Sequence, residues 1–292
     1  MTRVIGISSG KGGVGKTTVT ANLGLALKAL GKRVLVVDCN LSTPHLGYYL
    51  GVNDYKRTLN DVMLDRAHAE TAVYNCDGLR FIPASLDMAD LIGLDLKKFR
   101  KIVAGLVDPD RYDFILLDSA PGLGREAVCV LNAADEILFV TNPMVPAMND
   151  VLRSISIIKQ LGHKKVGIVL NMVTGRGHEL RERTVEAALD MPVLGSIPFD
   201  TGVPQSIVTG APIVGAEPDA AASVGFMKLA ASLSGEEYKA PSRLGAFVTR
   251  LKAGLLELSG AGGIAVPQTK EYVEKEMFIQ DGQKREEEGE AG

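Results

Sequence analysis

The chain has 292 residues, a formal charge of −3, and 46% apolar and 23% charged side chains, the balance of a globular protein able to bury one large core or two modest ones. A small negative net charge argues against a surface that coats nucleic acid throughout, though it leaves room for a local basic patch. Three isolated cysteines, Cys39, Cys76 and Cys129, with no CxxC spacing, provide no disulfide framework or zinc site and fit a reducing compartment.

Within three residues the sequence enters the strand-like stretch RVIGIS, with no basic-then-apolar leader ahead of it. The longest apolar runs, such as VLVV and FILL, are far short of the roughly 20 residues that span a bilayer, so a cytoplasmic protein with at most peripheral membrane contact is expected. After RVIGIS come RVLVVD, LRFIP, DFILLD, EILFVT, KVGIVLN and VLGSIP, separated by segments with a period near 3.6. That alternation predicts an α/β fold, a mostly parallel sheet sandwiched between helices in three layers. Several of the runs are apolar at consecutive positions, which predicts strands buried on both faces. The first helix is predicted over 17–30, stopping at Gly31. Near residue 235 the polar stretch SGEEYKAPS ends the α/β domain, predicted as 1–235. One amphipathic helix is predicted at 242–259, then an acid-rich tail, 260–292, with too little apolar surface to offset the entropy of ordering.

Between the first strand and first helix lies SSGKGGVGKTT, in which Gly10–Thr17 fits GxxxxGK[ST]. The backbone of Gly10, Gly12, Gly13, Val14 and Gly15 would present N–H groups to a polyphosphate at a helix start, where the helix dipole favours an anion. Lys16 would reach the β- and γ-phosphates, with Thr17 on magnesium and Thr18 as a second hydroxyl. The same glycines spell GxGxxG, and Asp38 ends the next strand at the distance of a ribose-binding acid in a dinucleotide fold. A dinucleotide helix has no use for a lysine in its first turn, however. A second acidic strand end, DFILLDSAPG, also supplies Asp118 in the position of a Walker B aspartate. ATP and Mg2+ are therefore the expected cofactors, with Thr17, Asp38 and Asp118 as the expected magnesium set.

Lys11 is harder to place, because a loop that already wraps phosphates with amides has little need of it. On its own it reads as a solvated cation. In its setting, SSGKGGVGKTT resembles the deviant Walker A motif of the MinD and ParA ATPases. VVDCNLSTPHLG resembles their switch I, ILLDSAPGLG their switch II, and LNMV with IPFD their adenine-enclosing segments. VTNPMVPAMNDVLRSI is more similar to MinD than to ParA. The resemblance implies an ATP-dependent homodimer in which Lys11 reaches the nucleotide of a second copy. It implies that Asn171 bonds the adenine edge while Pro198, Phe199 and Asp200 close over the base. It also implies an unidentified protein partner near Asp150 and Arg153.

One position departs from the family pattern. Where switch I usually reads Asp-x-Asp, this chain has Asp38, Cys39, Asn40. Asn40 can orient a water but cannot accept its proton. Phosphoryl transfer depends mainly on positioning and charge stabilisation, so a slow ATPase is expected, with Lys11, Lys16, Asn40 and Asp118 as the catalytic set.

In the predicted C-terminal helix Leu244, Phe247, Val248, Leu251, Leu255 and Leu258 fall within an arc about 100° wide, flanked by Arg243, Arg250 and Lys252. Such a stripe fits a helix lying in a membrane surface, and equally one packed on its own domain. MinD resemblance favours the membrane, with ATP-driven pairing of two helices raising avidity. Two other classes stand beside this reading. A ParA-like segregation ATPase would bind DNA, for which TGRGHELRERT is the best candidate, although Glu179, Glu182 and Glu186 make it read as a solvated face. A metallocluster carrier of the Mrp or nitrogenase-reductase type would need paired cysteines that this spacing does not offer.

Overall fold

Successive apolar side chains of the central strands point to opposite faces and build two cores, one on either side of a single sheet. In the computed structural model, which describes residues 1–161 and 165–240, the strands are β1 (Arg3–Ser8), β2 (Val34–Cys39), β3 (Tyr74–Cys76), β4 (Leu79–Ile82), β5 (Phe114–Ser119), β6 (Glu136–Thr141), β7 (Lys165–Val173) and β8 (Val193–Pro198). Helices α1 (Lys16–Ala29), α2 (Leu46–Tyr49), α3 (Leu59–Met63), α4 (Phe99–Leu106), α5 (Arg125–Ala133), α6 (Val145–Leu161), α7 (Glu182–Leu189), α8 (Gly202–Val208), α9 (Ile213–Ala216) and α10 (Ala221–Ser234) lie between and after them. The stretches 242–259 and 260–292, predicted as an amphipathic helix and an acid-rich tail, lie outside the described residues.

Eight strands form one sheet in the order β3-β4-β2-β5-β1-β6-β7-β8, every neighbouring pair parallel except β3 with β4. Val34, Val36, Phe114 and Leu116 point to a core shared with Val19, Leu23 and Leu27 of α1 and Phe226 and Leu229 of α10. Leu35, Val37, Ile115 and Leu117 point to the other, with Val103 of α4, Val130 of α5, Val151 and Ile155 of α6 and Val185 of α7. Burying each such side chain contributes about 1.5–3 kcal/mol, which is why these strands read as continuous apolar runs. The three-layer α/β/α architecture read from the sequence is the one observed.

Sheet order places the site. β1 sits between β5 and β6, so chain segments leave its C-terminal end toward both sides, and the crevice between them is where open α/β sheets bind ligands. The glycine loop fills that crevice. Helix α1 starts and ends one residue earlier than predicted, and Gly31 stops it as expected: with φ +78° it lets Gly31 N–H donate to Lys28 O and Lys32 N–H to Leu27 O. The β3–β4 hairpin was not predicted. β3 is only three residues long and half-buried at the sheet edge, so it carries no apolar run, although the Asp77-Gly78 turn was a readable hairpin signal. No helix among the described residues is long and apolar enough to cross a membrane.

Candidate nucleotide site

Helix α1 begins at Lys16 with Gly15 as N-cap, no side-chain cap and no acid in its first turn, so its leading amides are left for an outside anion. Gly15 holds φ +84°, and a Cβ there would stand 2.2 Å from Asn171 Nδ2. Gly10 is packed as closely against α6, where a Cβ would meet Asp150 Cβ at 2.6 Å. Gly12 and Gly13 instead face open space among the described residues: the nearest atom to a Cβ at Gly12 is 3.9 Å away, and none of theirs lies within 4 Å at Gly13. Two of the loop's glycines thus permit close packing and two leave a concavity lined by backbone. Val14 anchors the loop, its side chain buried in the core and its carbonyl accepting from Asn171 Nδ2 at 2.8 Å.

Asp118 is the hub of the phosphate end. Its Oδ2 accepts from Thr17 Oγ1 at 2.7 Å, its Oδ1 accepts from Thr20 Oγ1 at 2.9 Å, and Lys16 Nζ lies 3.5 Å from Oδ1. Lys16 and Asp118 are both buried, at 7% and 1% exposure. A cation held this deep against a single carboxylate leaves two of its three ammonium protons free for further acceptors. Thr20, absent from the sequence-based set, shares a helix face with Thr17 three residues earlier, the spacing that could have revealed it. Thr18 is buried and its carbonyl accepts from Asn22 Nδ2 at 2.9 Å.

Asp38 lies beside Asp118 because β2 and β5 pair in register with these two residues opposite each other. Its Oδ1 accepts from Asn40 N, and its Oδ2 from His45 N and Leu46 N at 3.2 and 3.0 Å. Burial, and then the adjacent Asp118 carboxylate, push Asp38 up to about 7. A divalent cation would relieve that repulsion, and Thr17, Asp38 and Asp118 are the side chains able to hold one or its waters. Ser8 Oγ, at the end of β1, is buried with no hydrogen-bond partner among the described residues. An open glycine concavity, uncapped helix amides, a buried lysine and facing carboxylates together fit a magnesium polyphosphate.

The remaining expected residues are spread around this centre. Lys11 is exposed at the loop's entrance, where its carbonyl accepts from Ser9 Oγ at 2.9 Å, and its ammonium makes no ion pair among the described residues. Asn40 is buried with its side chain turned back on its own loop: Nδ2 donates to Thr43 O, and Oδ1 accepts from Thr43 Oγ1 at 3.2 Å. Asn171 is buried under the glycine loop, and its carbonyl accepts from Asn142 Nδ2 at 3.0 Å. After it, Met172 takes φ +58° where β7 departs from its register with β8. Pro198 packs against Gly225 of α10, and Phe199 is 54% exposed, tied by its N–H to Val173 O. Asp200 spends its carboxylate on Gly202 N at 3.0 Å and Ala222 N at 3.2 Å, joining α8 to α10. Of the three residues expected over the base, Phe199 is therefore the one with a free face.

The ParA family model, described as NUBPL iron-transfer P-loop NTPase, matches residues 1–234. An ATP-binding protein of Methanocaldococcus jannaschii is 33% identical over 264 residues, which cover 87% of this chain and 97% of that one. The septum site-determining protein MinD of Pyrococcus horikoshii, solved with Mg-ADP, superposes with a TM-score of 0.76 at 34% identity, covering 80% of this chain and 96% of that chain. MinD of Aquifex aeolicus, in its complex with MinC, gives a TM-score of 0.74 at 31% identity over 81% of this chain and 98% of that chain. With the matched span running from β1 through α10 and including the glycine loop, the chain belongs to the ParA family of P-loop NTPases, in the company of MinD proteins.

Proposed function

We propose that residues 1–235 form a slow ATPase that dimerises on ATP and uses the change to control membrane association and spatial positioning, as a MinD-like switch. The observation that carries this reading is the division of labour between two lysines: Lys16 buried on Asp118, Lys11 exposed at the loop mouth with no ion pair among the described residues. In this scheme Lys16 and the loop amides hold the β- and γ-phosphates, Thr17, Asp38 and Asp118 hold magnesium, and Lys11 reaches the terminal phosphoryl group bound by a second copy. Magnesium would neutralise charge developing on the phosphates. Asn40 positions the attacking water without accepting its proton, which makes the ATP state long-lived. Asn171 and Phe199 border the base, and the helix expected at 242–259 supplies the membrane contact. A protein partner near Asp150 and Arg153 is part of the same reading, since MinD of Aquifex aeolicus is found in complex with MinC.

The test is oligomeric state by light scattering in ADP and in a non-hydrolysable ATP analogue. Wild type should be monomeric in ADP and dimeric with the analogue, and Lys11→Ala monomeric in both. A wild type monomeric in both nucleotides ends the proposal. Liposome co-sedimentation with the full chain and with a chain truncated at Lys239 tests the membrane part, and equal binding by the two removes the helix from it.

A DNA-binding, ParA-like role is the second reading, favoured by one observation. Of Glu179, Glu182 and Glu186, in and just after TGRGHELRERT, two are spent internally: Glu179 accepts from Thr174 and Gly175 amides, and Glu186 accepts from Val193 N. Arg176, Arg181 and Arg183 are left exposed, with no ion pair among the described residues. ATP-dependent DNA binding that weakens steeply with salt would favour it over the membrane switch. For iron transfer, named in the family description, no such observation speaks: Cys39, Cys76 and Cys129 stand on β2, β3 and α5, the first of them buried.

A further inference from the structure

Glu126 stands in the first turn of α5, shortly after the loop that follows Asp118. A carboxylate is favoured there by the helix dipole, and ordinarily it faces water or its own helix's free amides. Glu126 reaches instead to a different segment. Its Oε2 accepts from the backbone N–H of Leu41 at 3.1 Å and of Ser42 at 3.4 Å, and its Oε1 accepts from Ser42 Oγ. Two consecutive amides and a hydroxyl aimed at one carboxylate is a geometry that fixes a backbone, since each bond to a charged acceptor is roughly twice as strong as a neutral one.

The loop held in this way runs from Asn40 to Thr43. It is already closed on itself by Asn40 and Thr43, and its Leu41 side chain is buried in the core. Neither of those hydrogen bonds ties it to the segment after β5. Glu126 does, so the stretch that follows Asp38 and the stretch that follows Asp118 are joined by one side chain. We infer that Glu126 is a positioning residue that sets the 40–43 loop, and with it Asn40, from α5, so that the two segments flanking the phosphate end respond to nucleotide as one body. The catalytic consequence rests on the ATPase reading; the structural one does not. Asn40 has no charge with which to organise a water, so its effectiveness depends on where its loop is held.

Hydrogen–deuterium exchange on the full nucleotide-free chain tests the latch directly. In Glu126→Ala the amides of Leu41 and Ser42 should exchange about tenfold faster or more, as a lost charge-assisted bond implies, while those of Val36 and Val37 in β2 stay as in wild type. Glu126→Gln, which keeps one carbonyl acceptor, should lie between the two. Unchanged exchange at Leu41 and Ser42, or a uniform rise that includes β2, overturns the inference. Steady-state ATPase supplies the second readout: kcat should fall by about 10–100-fold in Glu126→Ala with KM within about threefold, as expected when a group is misplaced and binding is intact. Faster loop exchange with kcat unchanged overturns the positioning role. If wild type hydrolyses no ATP the proposed function fails, and the exchange experiment still decides the latch. Should Glu126→Ala not fold, Glu126→Gln and Ser42→Ala carry the same comparison.

Discussion

The two ends of the candidate site are built differently. At the phosphate end Thr17 and Thr20 both donate to Asp118, at 2.7 and 2.9 Å, and the buried Lys16 ammonium lies 3.5 Å from the same carboxylate. At the end proposed for the base, the exposed ring of Phe199 and the exposed Met172 offer apolar surface to solvent, while Asp200 is occupied in joining helices. Polyphosphate recognition needs converging amides and a cation fixed before the ligand arrives, whereas a base can be gripped by flat apolar contact at little geometric cost. Asn171 links the ends, buried under the loop by its bond to Val14 O and followed by the left-handed Met172.

That contrast is sharpened by mutating each end. The largest effect is expected from Gly15→Ala, where a left-handed backbone and a Cβ 2.2 Å from Asn171 Nδ2 must both be accommodated. Strain of order 1–3 kcal/mol plus a displaced loop should lower ADP affinity by about 100-fold or more in calorimetry. Gly13→Ala, whose methyl would meet no protein atom among the described residues, isolates the backbone part of the strain in urea melts of the nucleotide-free chain.

Next comes pH. Asp38 has its carboxyl raised from 3.8 to about 7 in the folded chain, so the folded state holds its proton over a range in which the unfolded chain has released it. The sign follows: in chelator and without nucleotide, stability should fall as pH rises from about 4 to about 7. Asp38→Asn should remove that slope in urea melts across the range, and an unchanged slope would place the repulsion elsewhere.

Thr20→Val keeps the shape and removes a buried donor to Asp118. The expected loss is about 1–3 kcal/mol of stability, with weaker magnesium dependence of nucleotide binding. Phe199→Ser, at the end proposed for the base, should be the mildest, a few-fold in nucleotide affinity and under about 1 kcal/mol of stability, because the fold buries less than half of the ring. A Phe199→Ser loss as large as that of Gly15→Ala would break the comparison.

The glycine loop, its flanking strand and helix, and both acidic strand ends were legible in the sequence because each is a local pattern: a motif, an apolar run, a turn residue. Thr20 was less so, since its role depends on which carboxylate faces α1, and Glu126 was invisible, since nothing in REAVCV indicates that its acid turns toward residues 41 and 42. The β3 edge strand was missed because three half-buried residues carry too little apolar signal.

The layer architecture, the phosphate loop and the P-loop NTPase family follow from local pattern, because hydrophobic period and motif spacing act over a few residues. Tertiary structure alone decided that Asp38 stands opposite Asp118, that Gly10 and Gly15 serve close packing while Gly12 and Gly13 leave a concavity, that Asp200 is a brace, and that Asn40 is held by its own loop. The physical reason is that register between strands distant in the chain and the direction of a polar side chain are set by packing and hydrogen-bond satisfaction across the whole fold.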